Sequence, residues 1–238
     1  MKKIFTLIAV ALCAMSASAQ GTYVANNAAA ITGGATETSV TGITLTYGSD
    51  DTYAAAKAAT NNADADFTAY TVGTANGKFT SGSAPTGCRY IFAPTIDGTL
   101  TVGVSLNAAK AFYVVKGSDF TALPIADITP NLPSEAGGAS QTFGTNVDSK
   151  DKSIDNSIAA KSDGTISFAA KSGETYYVFC TGSRLGFYGF KFTTGTAGIN
   201  QTVTIPENET PLFNAAGQQV SGSYKGLIIQ KGKKFVNK

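Results

Sequence analysis

The chain has 238 residues, with 18 Lys+Arg against 16 Asp+Glu, no histidine and no tryptophan. Without histidine, the serine–histidine and cysteine–histidine nucleophile pairs, imidazole acid–base catalysis and the usual zinc sites are excluded. Without tryptophan, stacking against a sugar falls to Tyr or Phe, and a near-neutral charge with no basic cluster before the last residues argues against a nucleic-acid partner.

In chain order, Met1, Lys2 and Lys3 lead into an apolar run from Ile4 to about Ala14 and then "SASAQ". This is the pattern of a secretory signal peptide over 1–19, with Ala17 and Ala19 set for a cut before Gln20. The run is shorter than the ~20 residues that cross a bilayer, so no membrane span is expected. Cys13 follows Leu12 rather than a small residue, which favours simple export over lipidation. Loss of Lys2 and Lys3 with the leader brings the cations down to 16, equal to the acids. The predicted location is the medium or the outer cell surface.

The body, 20–198, reads as β. "GITLTYG" (42–48) and "DFTAYTVG" (66–73) are the early strands, and "YAAAKAA" (53–59) between them has the one helical propensity. "CRYIFAP" (88–94), "GTLTVGVSL" (98–106), "KAFYVV" (110–115), "GTISFAA" (164–170), "ETYYVFC" (174–180) and "GFYGFKF" (186–192) follow. The second of these strands alternates Leu100, Val102, Val104 and Leu106 with small or polar residues, the period of a half-buried strand. "TIDG", "LNAA" and "KSGE" supply turn chemistry. The expected fold is all-β, an antiparallel β-sandwich of jelly-roll type. Between Lys116 and Asp163 the pattern lapses into a Pro- and charge-rich insert, read mainly as a solvated excursion between strands. Residues 199–238 read as a linker and a small β-hairpin module built from "PLFN", "GLIIQ" and "KKFVNK", with five lysines after residue 224.

Several residue groups are candidates for chemistry. Cys88 and Cys180 begin and end two expected strands, so antiparallel pairing would bring them within disulfide reach; two buried thiols are the other reading. Asn62, Asp64 and Asp66 imitate the first calcium ligands of an EF-hand loop. Phe67 stands where its glycine belongs, so no metal and no cofactor are expected. Arg89 and Arg184, the only two arginines, either share a rim suited to a carboxylate or are unrelated. In "FYGFKF", strict alternation places Tyr188, Phe190 and Phe192 inside and Phe187, Gly189 and Lys191 outside. A ligand site is expected where "TGSRLGF" (181–187) meets "LNAAK" (106–110). There Arg184 and Lys110 act as charged donors, Asn107 as a neutral donor and acceptor, and Phe187 as a stacking ring. The site is expected to be shallow and to carry no net charge.

Two stretches, "YIFAPTIDGTLTVGVSLNAAKAFYVV" (90–115) and "ISFAAKSGETYYVFCTGSRLGFYGFKF" (166–192), resemble β-sandwich modules of secreted Bacteroidetes proteins. Gly98, Leu100, Asn107, Lys110, Tyr113, Tyr177, Gly182, Leu185, Gly186, Tyr188 and Gly189 carry the likeness, which covers roughly 66–194 apart from the insert. Such modules accompany pectate lyases and are carbohydrate-binding-like. The tail is similar to C-terminal sorting domains of type IX secretion at Phe213, Asn214, Gly217, Gln218, Lys225, Gly226, Gly232, Lys233 and Lys234, although Phe213 and Ala215 replace the usual Tyr and Leu. The resemblance implies a secreted, non-catalytic glycan-binding accessory protein for an acidic polysaccharide or oligosaccharide, whose tail engages the secretion machinery. A surface adhesin or structural protein is the alternative, and a polysaccharide lyase the third reading.

Overall fold

The computed structural model describes residues 20–59, 61–135, 137–144, 156–194, 212–214, 218–220, 225–230 and 233–237. The expected leader, the middle of the insert, most of the linker and the tail glycines 217, 222 and 232 lie outside the described residues. The chain falls into two compact units divided between residues 196 and 197.

The first unit contains β1 (Gln20–Val24), β2 (Ile31–Thr32), β3 (Thr36–Glu37), β4 (Ile43–Tyr47), β5 (Thr52–Tyr53), β6 (Lys57–Ala58) and β7 (Ala69–Val72). It continues with β8 (Arg89–Pro94), β9 (Gly98–Leu106), β10 (Ala111–Lys116), a 3-10 turn at Ile125–Asp127, β11 (Ile128–Asn131), β12 (Ser162–Ala170), β13 (Tyr176–Thr181) and β14 (Gly186–Thr193). One sheet runs β11-β12-β9-β14-β7-β6, with β1 also on β14, and the facing sheet runs β10-β13-β8-β4-β3. Every pairing between these strands is antiparallel. From β7 to β10, and again from β12 to β14, the chain changes sheet at each step. This gives β7-β14-β9-β12 opposite β8-β13-β10, the jelly-roll order. Residues 121–123 extend the second sheet, where Lys116 N donates to Thr121 O (2.9 Å) and Leu123 N to Val114 O (2.7 Å).

Strand alternation builds the core directly. Leu100, Val102, Val104 and Leu106 are buried between the sheets, while Thr99 is exposed and Thr101 and Ser105 half-buried. The rings of Tyr47, Tyr90, Phe92, Phe187, Phe190 and Phe192 fill the same layer. Each such side chain contributes about 1.5–3 kcal/mol by leaving water.

Two sequence expectations are corrected, and two open readings are decided. "YAAAKAA", whose helical propensity came without an amphipathic stripe, carries the last residue of β5 and all of β6, because the sheet offers its backbone partners that an isolated helix of seven residues lacks. The insert is more than an excursion. β11 pairs with β12, Leu132 and Ile158 are in the core, and Phe143 stacks on Phe112 at 5.6 Å. Its apolar residues fill gaps singly, which leaves no period to read.

In β14, Phe187 is fully buried with Phe190 and Phe192, while Tyr188 lies on the opposite face. A bulge between Phe187 and Gly189 is responsible: Phe187 faces Val104 and Gly189 faces Gly103, leaving Tyr188 as the extra residue. Gly189 has φ +131°, and a Cβ there would stand 2.0 Å from Tyr23 O, so only glycine allows the bulge. The outer edge of β14 passes there from β7 to β1. Lys191 faces outward as expected, pairing with Asp64 (2.6 Å) and Asp66 (2.8 Å) above the Phe67 ring.

Finally, Cys88 and Cys180 are free thiols, both buried. Their strands are antiparallel neighbours, with Phe179 opposite Arg89 one residue away. The Cys88 thiol is directed instead toward Leu185 O (3.6 Å) and Tyr90 Oη (3.9 Å). Burial pushes both thiols above their ordinary value, which suits core packing and not nucleophilic use.

The second unit is a small antiparallel sheet of β15 (Leu212–Asn214), β16 (Gln219–Val220), β17 (Gly226–Gln230) and β18 (Lys233–Asn237), in the order β16-β15-β17-β18. Three of these strands were expected, and β16 adds a fourth. Leu227 and Val236 are cross-strand partners and both are exposed.

Candidate functional site

One end of the first sheet carries a cleft of about 450 Å³ on its outer face. Its floor follows from strand register. Ser105 of β9, Gly186 of β14 and Val72 of β7 are successive cross-strand partners, and the missing side chain of Gly186 hollows the row. A Cβ at Gly186 would stand 2.6 Å from Cβ of Ser105. On the far side Lys57 of β6 lies directly across from Tyr70 of β7, and both line the cleft.

The loops fix the walls. Asn107 Nδ2 donates to Ser183 Oγ (2.9 Å), tying the β9–β10 turn to the β13–β14 turn. Ala109 N donates to Ile158 O (3.0 Å), so the insert braces the turn that presents Asn107 and Lys110. Asn76 enters on the loop after β7. That loop is held by Asp51, whose Oδ1 accepts from Thr74 N (3.0 Å), Thr74 Oγ1 (2.5 Å) and Ala75 N (3.2 Å). Gly77 N then donates to Ser183 O (3.3 Å), closing the wall.

The electrostatics are one-sided. Lys57, Lys110, Lys161 and Arg184 line the cleft, all four exposed, and among the described residues no carboxylate does. Lys161 pairs with Glu135, whose hydrogen bond lifts it above the ordinary lysine value. Among the described residues no ion pair forms at Lys57, Lys110 or Arg184. Tyr70 offers a half-buried ring, backed by Tyr188 at 5.3 Å. Burial, and then Asp163, push the Tyr188 hydroxyl well above the usual tyrosine value, so it stays protonated. Four cations, amides, hydroxyls and one ring can hold an anion that also carries hydroxyl groups.

Of the residues expected at the site, Asn107, Lys110 and Arg184 share this cleft. Phe187 does not. It is stacked on Tyr90 at 4.2 Å inside the sandwich, so the bulge denies it to any ligand. Arg89 is also elsewhere, 8% exposed and paired with Asp50, with Nη1 donating to Gly87 O (3.1 Å). The two arginines are unrelated. Lys57, Lys161, Tyr70 and Asn76 were missed, and with Lys57 and Lys161 the site is cationic instead of uncharged. A lysine at position 57, taken as a strand residue with Tyr70 as its antiparallel partner, was the available signal.

The fold and cleft together define an antiparallel β-sandwich with a solvent-facing cationic groove at one end of one sheet. The sequence matches no protein-family model and no curated protein.

Proposed function

We propose that this is a secreted or surface-exposed, non-catalytic glycan-binding accessory protein whose cleft takes an acidic oligosaccharide. One observation carries the reading: a hollow of about 450 Å³ that, among the described residues, is lined by four cations and no carboxylate, with amide and hydroxyl partners around a tyrosine ring. The volume falls in the range of small-ligand sites, roughly 300–1,000 Å³. Guanidinium and ammonium groups match a uronate carboxylate, and Asn76, Asn107 and Ser105 match ring hydroxyls. Tyr70 takes the stacking role that Phe187 cannot. An open cleft with exposed cations gives weak affinity, roughly micromolar to millimolar. The Bacteroidetes-type resemblance supports the same reading.

Calorimetric titration with a uronate tetramer tests it. Wild type should bind, Arg184→Ala and Lys110→Ala should each bind several-fold more weakly, and both should melt like wild type. No heat at millimolar tetramer overturns the reading. Accumulation of unsaturated sugar ends during the titration would favour a lyase instead. The tail sheet, with Leu227 and Val236 exposed side by side, suits recognition by export machinery. Truncation after Gly198 should abolish surface delivery and leave the melting of the body unchanged.

A further inference from the structure

We propose that Glu135 sets the charge spacing of the ligand: the cationic cleft ends at the Lys161–Glu135 ion pair, and Glu135 and Asp163 beyond it demand a neutral sugar unit next to the anionic one. The inference rests on the glycan reading of the cleft.

Two links join the cleft to the space beyond it. Lys161, on the cleft wall, pairs with Glu135, and Glu135 N donates to Lys161 O (3.2 Å), so the two side chains are held at one boundary. Tyr70, also on the wall, packs on Tyr188 at 5.3 Å, and Tyr188 is near enough to Asp163 for that carboxylate to help raise its hydroxyl. On the far side a second hollow of about 240 Å³ is lined by Asn61, Pro133, Ser134, Glu135, Gly137 and Asp163. Among the described residues its sign is the reverse of the cleft's: two carboxylates and no cation.

Asp163 is 5% exposed and accepts from Asn61 Nδ2 (2.7 Å), so water screens its charge poorly. A second uronate reaching this hollow would set its carboxylate against Asp163 and Glu135, a like-charge contact that selects against the wrong ligand. A neutral sugar brings hydroxyl donors to the same oxygens and gains charge-assisted hydrogen bonds. A chain alternating uronate and neutral units therefore fits both hollows, and a run of uronates fits only the first.

The test is titration of the full exported chain with two tetramers, one of uronate alone and one alternating uronate with a neutral hexose. Wild type should prefer the alternating tetramer by roughly three- to tenfold, the size of a moderately screened charge contact. Glu135→Gln removes one carboxylate and frees Lys161, and should bring the ratio near one by tightening the all-uronate ligand. Glu135→Lys should invert it. Glu135 is about half exposed, so both variants should melt like wild type. Equal wild-type affinity for the two tetramers, or a preference that Glu135→Gln leaves unchanged, overturns the role of Glu135 while leaving the cleft's ligand class intact. Binding of neither tetramer overturns both.

Discussion

The two ends of the sandwich are built from similar turns and treat charge in opposite ways. At one end the β8–β9 turn meets the β12–β13 turn. Lys171 pairs with Asp97 at 2.9 Å, Ser172 N donates to Asp97 Oδ1 (2.8 Å), and Ser172 Oγ donates to Thr95 O (2.8 Å). At the other, the length of β9 or about 30 Å away, the β9–β10 turn meets the β13–β14 turn through the neutral Asn107–Ser183 contact. Lys110 and Arg184 there form no ion pair among the described residues. Charges closed by a partner hold turns together. Charges left open in a hollow are available to something else.

The comparison can be broken in four ways, from the largest expected effect to the smallest. Phe187→Ala, directly after the open end, should cost about 3–5 kcal/mol of stability, as buried ring deletions do, while the folded fraction binds ligand as before. Chemical denaturation with a titration below the midpoint checks it; binding lost out of proportion would return Phe187 to the site. Arg184→Glu places a carboxylate in the lining and so closes the open end. Uronate affinity should fall roughly ten- to a hundredfold, since charged hydrogen bonds are worth about 1.5–3 kcal/mol, with melting unchanged.

Raising ionic strength from about 0.1 M to about 1 M shortens the Debye length from about 10 Å to about 3 Å. Uronate binding should weaken several-fold, and a salt-independent affinity would place the ligand away from the four cations. Lys171→Ala at the closed end should leave binding untouched and change only the acid side of the melting profile. The Ser172 N–H and then Lys171 hold the Asp97 carboxyl below its ordinary value. Its contribution is therefore present above the ordinary carboxylate range and fades as pH falls through the lowered value. The variant should lose part of that acid dependence and look like wild type near neutrality.

Much of the fold was legible because strands announce themselves by period. β9 begins and ends where the alternation of Leu100, Val102, Val104 and Leu106 does, and the strands expected at 88–94, 110–115 and 174–180 recur within two residues at each end. The insert was not legible, because Leu132, Phe143 and Ile158 reach the core one at a time from irregular backbone. The cleft was legible in part. Asn107, Lys110 and Arg184 were found because they sit on turns between clear strands. Lys57 and Lys161 were not, since their place depends on which strands become neighbours.

The sequence by itself determined the all-β class, the alternation that fills the core, and the lack of histidine chemistry, because these depend on residue type and local period. The tertiary structure alone decided which rings face inward and which cations converge. One glycine at 189, able to adopt φ +131°, admits a bulge that turns Phe187 into the core between the sheets and Tyr188 onto the opposite face, where it is buried against Tyr70. Sheet order then places β6, β7, β9, β12 and β14 so that Lys57, Lys110, Lys161 and Arg184, up to 127 residues apart in the chain, line one hollow. Strand propensity acts over a few residues, whereas convergence of charge requires the long-range pairing that only the folded sheet supplies.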